Sequence, residues 1–258
     1  MLILLSPAKS LNFKDHFKAP TTSPPRFLKQ SSQLVEVLRE YDATQLSNLM
    51  GISDALAELN VERNRSWSAK GSDENSRPAV FAFRGDTYVG LDADTMTEND
   101  LLYAQDHLRI LSGLYGVLRP LDLIQPYRLE MGSRLVNPKG KNLYAFWGQQ
   151  ISASLNEDLQ DRPDEVLVNL ASDEYFKAVD RSILQHDIVH PVFMDAKNGS
   201  YKVISFYAKK ARGMMARWIL EHRPDSRLDL QEFDWGGYRF SKGASDTIEP
   251  VFLRDEQE

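Results

Sequence analysis

The segment Leu111–Gly132, LSGLYGVLRPLDLIQPYRLEMG, constrains this chain more than any other stretch. It is apolar enough to be partly buried. Gly113, Gly116, Gly132, Pro120 and Pro126 nevertheless break it so often that no long helix can run through it. Each proline also biases the residue before it, Arg119 or Gln125, toward an extended conformation. The segment therefore folds as short extended pieces and turns. Arg119, Arg128, Tyr115, Tyr127 and Glu130 ride on those turns. Arg and Tyr on a half-buried turn suit a contact with an anion or a nucleotide. They equally suit a structural turn whose arginines pair with acidic neighbours, and residue types alone leave both open.

With 258 residues, 42% hydrophobic and 26% charged, the chain has the composition of an ordinary globular protein. It has no cysteine, which excludes disulfides, thiolate metal sites and a cysteine nucleophile. The N-terminus, MLILLSPAK, has a short apolar run with no basic residue ahead of it. It reads as a buried strand and not as a signal peptide or a membrane span, so the expected location is cytoplasmic.

The formal net charge of −6 argues against a generic nucleic-acid wrapper. The charge is unevenly placed, however. Arg109, Arg119, Arg128, Arg134, Lys139 and Lys141 face only Asp122 and Glu130 between Leu108 and Lys141. The stretch Lys197–Arg223 has seven Lys/Arg against Glu221 alone, and the tail from Asp225 is acidic. Local fields decide where a polyanion docks. The same pattern also describes solvated helix faces beside an acidic tail.

Helical spacing marks 31–41, 44–50, 54–60 and 98–107, the last with Thr97 as N-cap and Asp100 three residues on. Further helices are expected over 144–159, 173–179 and 205–223, the last stopped by Pro224. Strands are expected over 2–5, 79–83, 165–170, 187–194, 201–204 and 249–253, with Asn198-Gly199 as a hairpin turn. The elements mix without regular βαβ spacing, which predicts an α+β fold over a doubly wound sheet. No linker divides the chain, so residues 1–258 are expected to form a single domain.

Several local patterns carry candidate chemistry. The stretch LSNLMGISDALAEL, 46–59, resembles a helix-hairpin-helix element at about 44–60, with Gly51, Ile52 and Ser53 as the turn. In that motif the free amides at the start of the second helix hold a DNA phosphate. Ser53 stands where the motif has its second glycine, and it can instead serve as an N-cap before Asp54. Asp54 repels a phosphate, while Arg63 and Arg65 offset it. Ser6-Pro7-Ala8-Lys9 follows the first strand, where a polar residue and a lysine face a crevice or simply solvent. Asn169–Lys177, NLASDEYFK, also follows a strand, with Ser172 a candidate helix cap and Tyr175 one turn inside. Lys209 and Arg212 lie three apart on one face of the basic helix. The histidines, His16, His107, His186, His190 and His222, form no metal-binding pattern, and no phosphate-loop or dinucleotide fingerprint is present. No metal and no cofactor are expected.

Four segments together, LSPAK, SGLYGVLRPLDLIQPYRLEMG, NLASDEYFK and ISFYAKKARG, resemble the YaaA family of bacterial peroxide stress resistance proteins over essentially the whole chain. The resemblance implies a cytoplasmic protein that limits iron-dependent oxidative damage to DNA. It also implies an α+β fold with a helix-hairpin-helix, a positive cleft and sequence-independent binding of double-stranded DNA. Carried onto this chain, the hairpin is 46–59, with Gly51, Ile52, Ser53 and Arg63. The cleft would be lined by Lys9, Arg109, Arg119, Arg128, Lys209 and Arg212. The alternative is an enzyme acting on a nucleotide or nucleobase in the same cleft, with Lys9, Glu130 and Tyr175 as acid–base candidates.

Overall fold

Leu2–Leu5 (β1) is fully buried, and its unbroken apolar run is what a central parallel strand requires, because helices and loops cover both its faces. In the computed structural model, which describes residues 1–14, 17–72, 74–160 and 165–256, β1 lies at the middle of a five-stranded sheet. Leu108–Ser112 (β2) flanks it on one side and Val166–Asn169 (β4) on the other, both parallel, with Ile3 opposite Leu108 and Val168. Gly116–Leu118 (β3) folds back antiparallel on β2, and Asp187–Val189 (β5) extends the sheet beyond β4. His16 lies outside the described residues.

A second, four-stranded sheet is ordered β7-β6-β9-β8, from Val192–Lys197 (β6), Ser200–Lys202 (β7), Arg239–Phe240 (β8) and Val251–Arg254 (β9). The turn between β6 and β7 has Asn198 and Gly199 both at positive φ, 54° and 74°, as the Asn-Gly pair predicts. Helices, these two sheets and two smaller two-stranded sheets together make the expected α+β class.

Four expected elements differ. The strand expected over 187–194 is two strands in different sheets, divided at His190-Pro191. Pro191 has no N–H to continue a ladder, so the chain leaves one sheet and enters the other there. The strand expected over 79–83 is a buried helical turn, Ala79–Ala82, followed by the two-residue strand Phe83–Arg84. A short apolar run has no period that separates a buried strand from a buried helix. The helix expected over 144–159 is broken into Leu143–Trp147 and Gln150–Leu159 by Gly148, whose φ of 49° and ψ of −125° end the first piece. Ser172 takes the N-cap conformation before Asp173, but its hydroxyl makes no capping bond, because it faces Ser6 instead.

Thr97 caps Glu98–His107 through the Asp100 amide, as expected. Leu28–Arg39 (α1) precedes Ala43–Met50 (α2) and Asp54–Ser66 (α3), the last six residues longer than its spacing predicts. Asp42 and Gln45 form a capping box on α2, and Gly51 ends it in the left-handed conformation.

The Leu111–Gly132 segment is a buried corner. The Ser112 hydroxyl accepts the Tyr115 amide, and the Tyr115 phenol oxygen accepts from the Trp67 indole and the Gln125 amide. Burial pushes the Tyr115 phenol up to about 12, so it stays protonated. A Cβ on Gly113 would stand 2.2 Å from the Leu129 carbonyl oxygen, which explains glycine there.

The longest helix, Ser205–His222, crosses the short helix Asp86–Leu91 at backbone contact. A Cβ on Gly213 would fall 1.8 Å from the Thr87 carbonyl oxygen, and one on Gly90 would fall 2.1 Å from that of Lys210. This glycine-to-glycine crossing brings Lys209 and Arg212 over the ends of β1 and β4.

Candidate functional site

The loops that leave β1 and β4 at their C-terminal ends are tied together by hydroxyls. The Ser6 hydroxyl accepts the Ser172 amide at 2.8 Å and donates to the Ser172 hydroxyl at 3.2 Å. The Tyr88 hydroxyl donates to the Ser6 carbonyl at 3.0 Å, which joins the Asp86–Leu91 helix to the same loops. Above them opens a cleft of about 310 Å³, walled by 6–10, 84–88, 127–130, 170–175 and the Lys209–Arg212 turn of the long helix.

Its charges are arranged in two groups. Glu130 bridges two cations, with one oxygen 2.7 Å from Lys9 Nζ and the other 3.2 Å from Arg128 Nη2. Arg128 is largely buried, and its Nε has no hydrogen-bond partner. Lys209 and Arg212 form the second group, and neither makes an ion pair with a described residue. Burial pulls the Arg212 guanidinium below its usual range, weakly opposed by the charge of Asp173, but an arginine remains cationic at that cost. Behind Arg212, His190 is held below the usual histidine range by burial first and by the Arg212 charge second. The Asn169 amide, set 3.0 Å from His190 Nδ1, suits that neutral imidazole as a donor.

Tyrosines line the apolar side. Burial raises the phenol pKa of Tyr88, Tyr127 and Tyr175, so all three are neutral donors at pH 7. The Tyr127 hydroxyl pairs with that of Ser112 at 2.7 Å. Glu174 accepts the Gly132 amide at 2.9 Å.

Of the six cations expected in the cleft, Lys9, Arg128, Lys209 and Arg212 line it, together with Glu130 and Tyr175. Arg109 and Arg119 do not. Arg109 is 4% exposed, and its Nε donates to Asp158 at 2.7 Å, beside Arg26 on the same carboxylate. Arg119 turns back onto buried Asp122, at 3.0 Å. Both are drawn away by carboxylates that the fold buries and that need a positive partner. The Gly51–Ser53 turn lies outside the cleft lining, and among the described residues no side chain caps the first turn of α3. Arg63, on the third turn of α3, lies close enough to Arg128 that the two positive charges repel. Its pKa is lowered by burial first and by Arg128 second.

Arg84, Asp86, Tyr88 and Glu174 line the cleft without a local sequence signal. The first three arrive through the Gly90–Gly213 crossing, whose two partners are more than a hundred residues apart in sequence. Among the described residues no group of three His, Asp or Glu side chains is placed to hold a metal, and no helix is long and apolar enough to cross a membrane.

One family model covers most of the chain. The model described as peroxide stress protein YaaA matches residues 1–244. That span takes in β1, α2, α3, every wall of the cleft and the long helix, and the chain belongs to this family of peroxide stress resistance proteins.

Proposed function

We propose that this chain works as a single cytoplasmic domain and protects against peroxide by binding double-stranded DNA without sequence preference, limiting iron-dependent oxidative damage to it. The observation that carries this reading is the position of Arg63. It stands on the second helix of the hairpin, beside Arg128 of the cleft, and neither it nor Lys209 or Arg212 makes an ion pair with a described residue. Two like charges held together under partial burial favour a site that an anion completes. The uncapped start of α3 supports the same reading. Its first amides are free to meet a phosphate, whereas α2 satisfies its own with a capping box. Gly51, Ile52 and Ser53 would then hold the backbone of one strand, and Arg63, Arg128, Lys209 and Arg212 would hold neighbouring phosphates.

The test is fluorescence anisotropy with a labelled duplex over a salt series. Arg63→Ala and Arg212→Ala should each weaken binding by about tenfold, the usual scale for one charge-assisted contact. No detectable binding at low salt, or unchanged affinity in both variants, would overturn duplex binding.

A further inference from the structure

We infer that the cleft is a binding site for a nucleoside monophosphate. Three independent features of the pocket lead there. The first is topological. From β1 the chain crosses to β2 on one side of the sheet, and from β4 it continues to β5 on the other. The loops after β1 and β4 therefore diverge, and the crevice they leave, between Ser6 and Ser172, opens at the carboxyl ends of parallel strands. Such a switch point is where open parallel sheets hold small ligands.

The second is charge. Lys209 and Arg212 project from one turn of the long helix, neither ion-paired with a described residue and Arg212 only weakly countered by Asp173, and Arg128, whose buried Nε has no hydrogen-bond partner among the described residues, lines the same cleft. Leaving a buried guanidinium nitrogen unpaired costs free energy that an incoming oxyanion recovers. A dianionic phosphate matches two cations that make no ion pair with a described residue, and its planar O–P–O edge fits the Arg212 fork.

The third is the remainder of the lining. The cleft is not uniformly positive. Glu130 and Asp86 add acceptors for hydroxyl or amine hydrogens, while Tyr88 and Tyr175 add neutral aromatic surface beside Leu129 and Leu170. An anionic end, a hydroxyl-bearing middle and a flat apolar end are the parts of a nucleotide. The volume of about 310 Å³ sits at the small end of the range of about 300–1,000 Å³ for small-molecule sites, which suits one nucleotide unit.

Calorimetric titration of the full chain with the common nucleoside 5′-monophosphates, ribose 5-phosphate, adenosine and inorganic phosphate tests the site. At least one monophosphate should bind saturably and more tightly than ribose 5-phosphate, the nucleoside or phosphate. Arg212→Ala should lower its affinity by about tenfold or more. Lys209→Ala, on an exposed position of the same helix turn, should act in the same direction and keeps the test decisive if Arg212→Ala fails to fold. Absence of binding across the panel at millimolar concentration, equal binding of inorganic phosphate, or unchanged affinity in Lys209→Ala would overturn the site. Arg63→Ala should weaken duplex binding and leave nucleotide affinity unchanged, so either activity can fail without the other.

Discussion

Asp158 shows how a single residue reassigns a cation. Its carboxylate takes Arg109 Nε at 2.7 Å and Arg26 Nη2 at 2.8 Å, and its side chain is only 8% exposed. Burial alone would raise its pKa, but the hydrogen bonds from Arg109 and Arg26 overcome that and hold it below the usual carboxylate range. Because the folded value is depressed, the stabilisation from ionised Asp158 is present above its unfolded value, about 3.9, and is lost as pH falls through the folded one. Asp158→Asn should therefore be less stable than the wild type at neutral pH, and the gap should close as the buffer is taken below about pH 4. Urea midpoints measured across that range check this, and a gap independent of pH would contradict it. Arg109→Leu leaves a buried carboxylate short of one partner and should cost about 3 kcal/mol in the same assay. Duplex affinity should be unaffected by Arg109→Leu, since Arg109 does not reach the cleft.

At the scale of elements, the crossing of the long helix over Asp86–Leu91 sets the position of the cleft cations. Gly213 and Gly90 each meet the backbone of the other helix, so neither neighbour can yield by a rotamer change. Gly213→Ala should force the helices apart, cost about 3 kcal/mol, and lower the thermal midpoint by several degrees. Gly51 is the useful contrast. It has open space around it but a φ of +61°, so Gly51→Ala should cost only about 1–2 kcal/mol, the strain of a left-handed non-glycine residue. Thermal unfolding of the two variants side by side distinguishes a steric glycine from a conformational one. Equal losses would show that the crossing is not a fixed spacer.

For the whole molecule, the net charge of −6 and the sequestration of Arg109 and Arg119 leave a small positive surface. If Arg63, Arg128, Lys209 and Arg212 supply the phosphate contacts, the logarithm of duplex affinity should fall with the logarithm of salt at a slope of about −3.6, near −0.9 for each of four phosphates. A slope near −8 would mean that a much wider surface binds. Much of this molecule is legible in its residues. The central strand Leu2–Leu5, the Thr97 cap, the Asn198-Gly199 turn, the stop of the long helix before Pro224 and the α+β class all follow from local chemistry that neighbours in sequence complete. That Ser6–Lys9 and Ser172–Tyr175 each follow a strand is legible in the same way, but that both face one crevice is not. What sequence alone left open is where charges go. Arg119 and Arg128 sit in one unusual segment, yet the first is consumed by buried Asp122 and the second reaches the cleft. The parallel order of the sheet is equally hidden, because more than a hundred residues, helices and short strands together, separate β1 from β2. Local propensity and capping depend on contacts within a few residues and are written in the chain. Ion pairing, strand order and the meeting of Gly90 with Gly213 depend on contacts across half its length, and only packing of the complete core decides them.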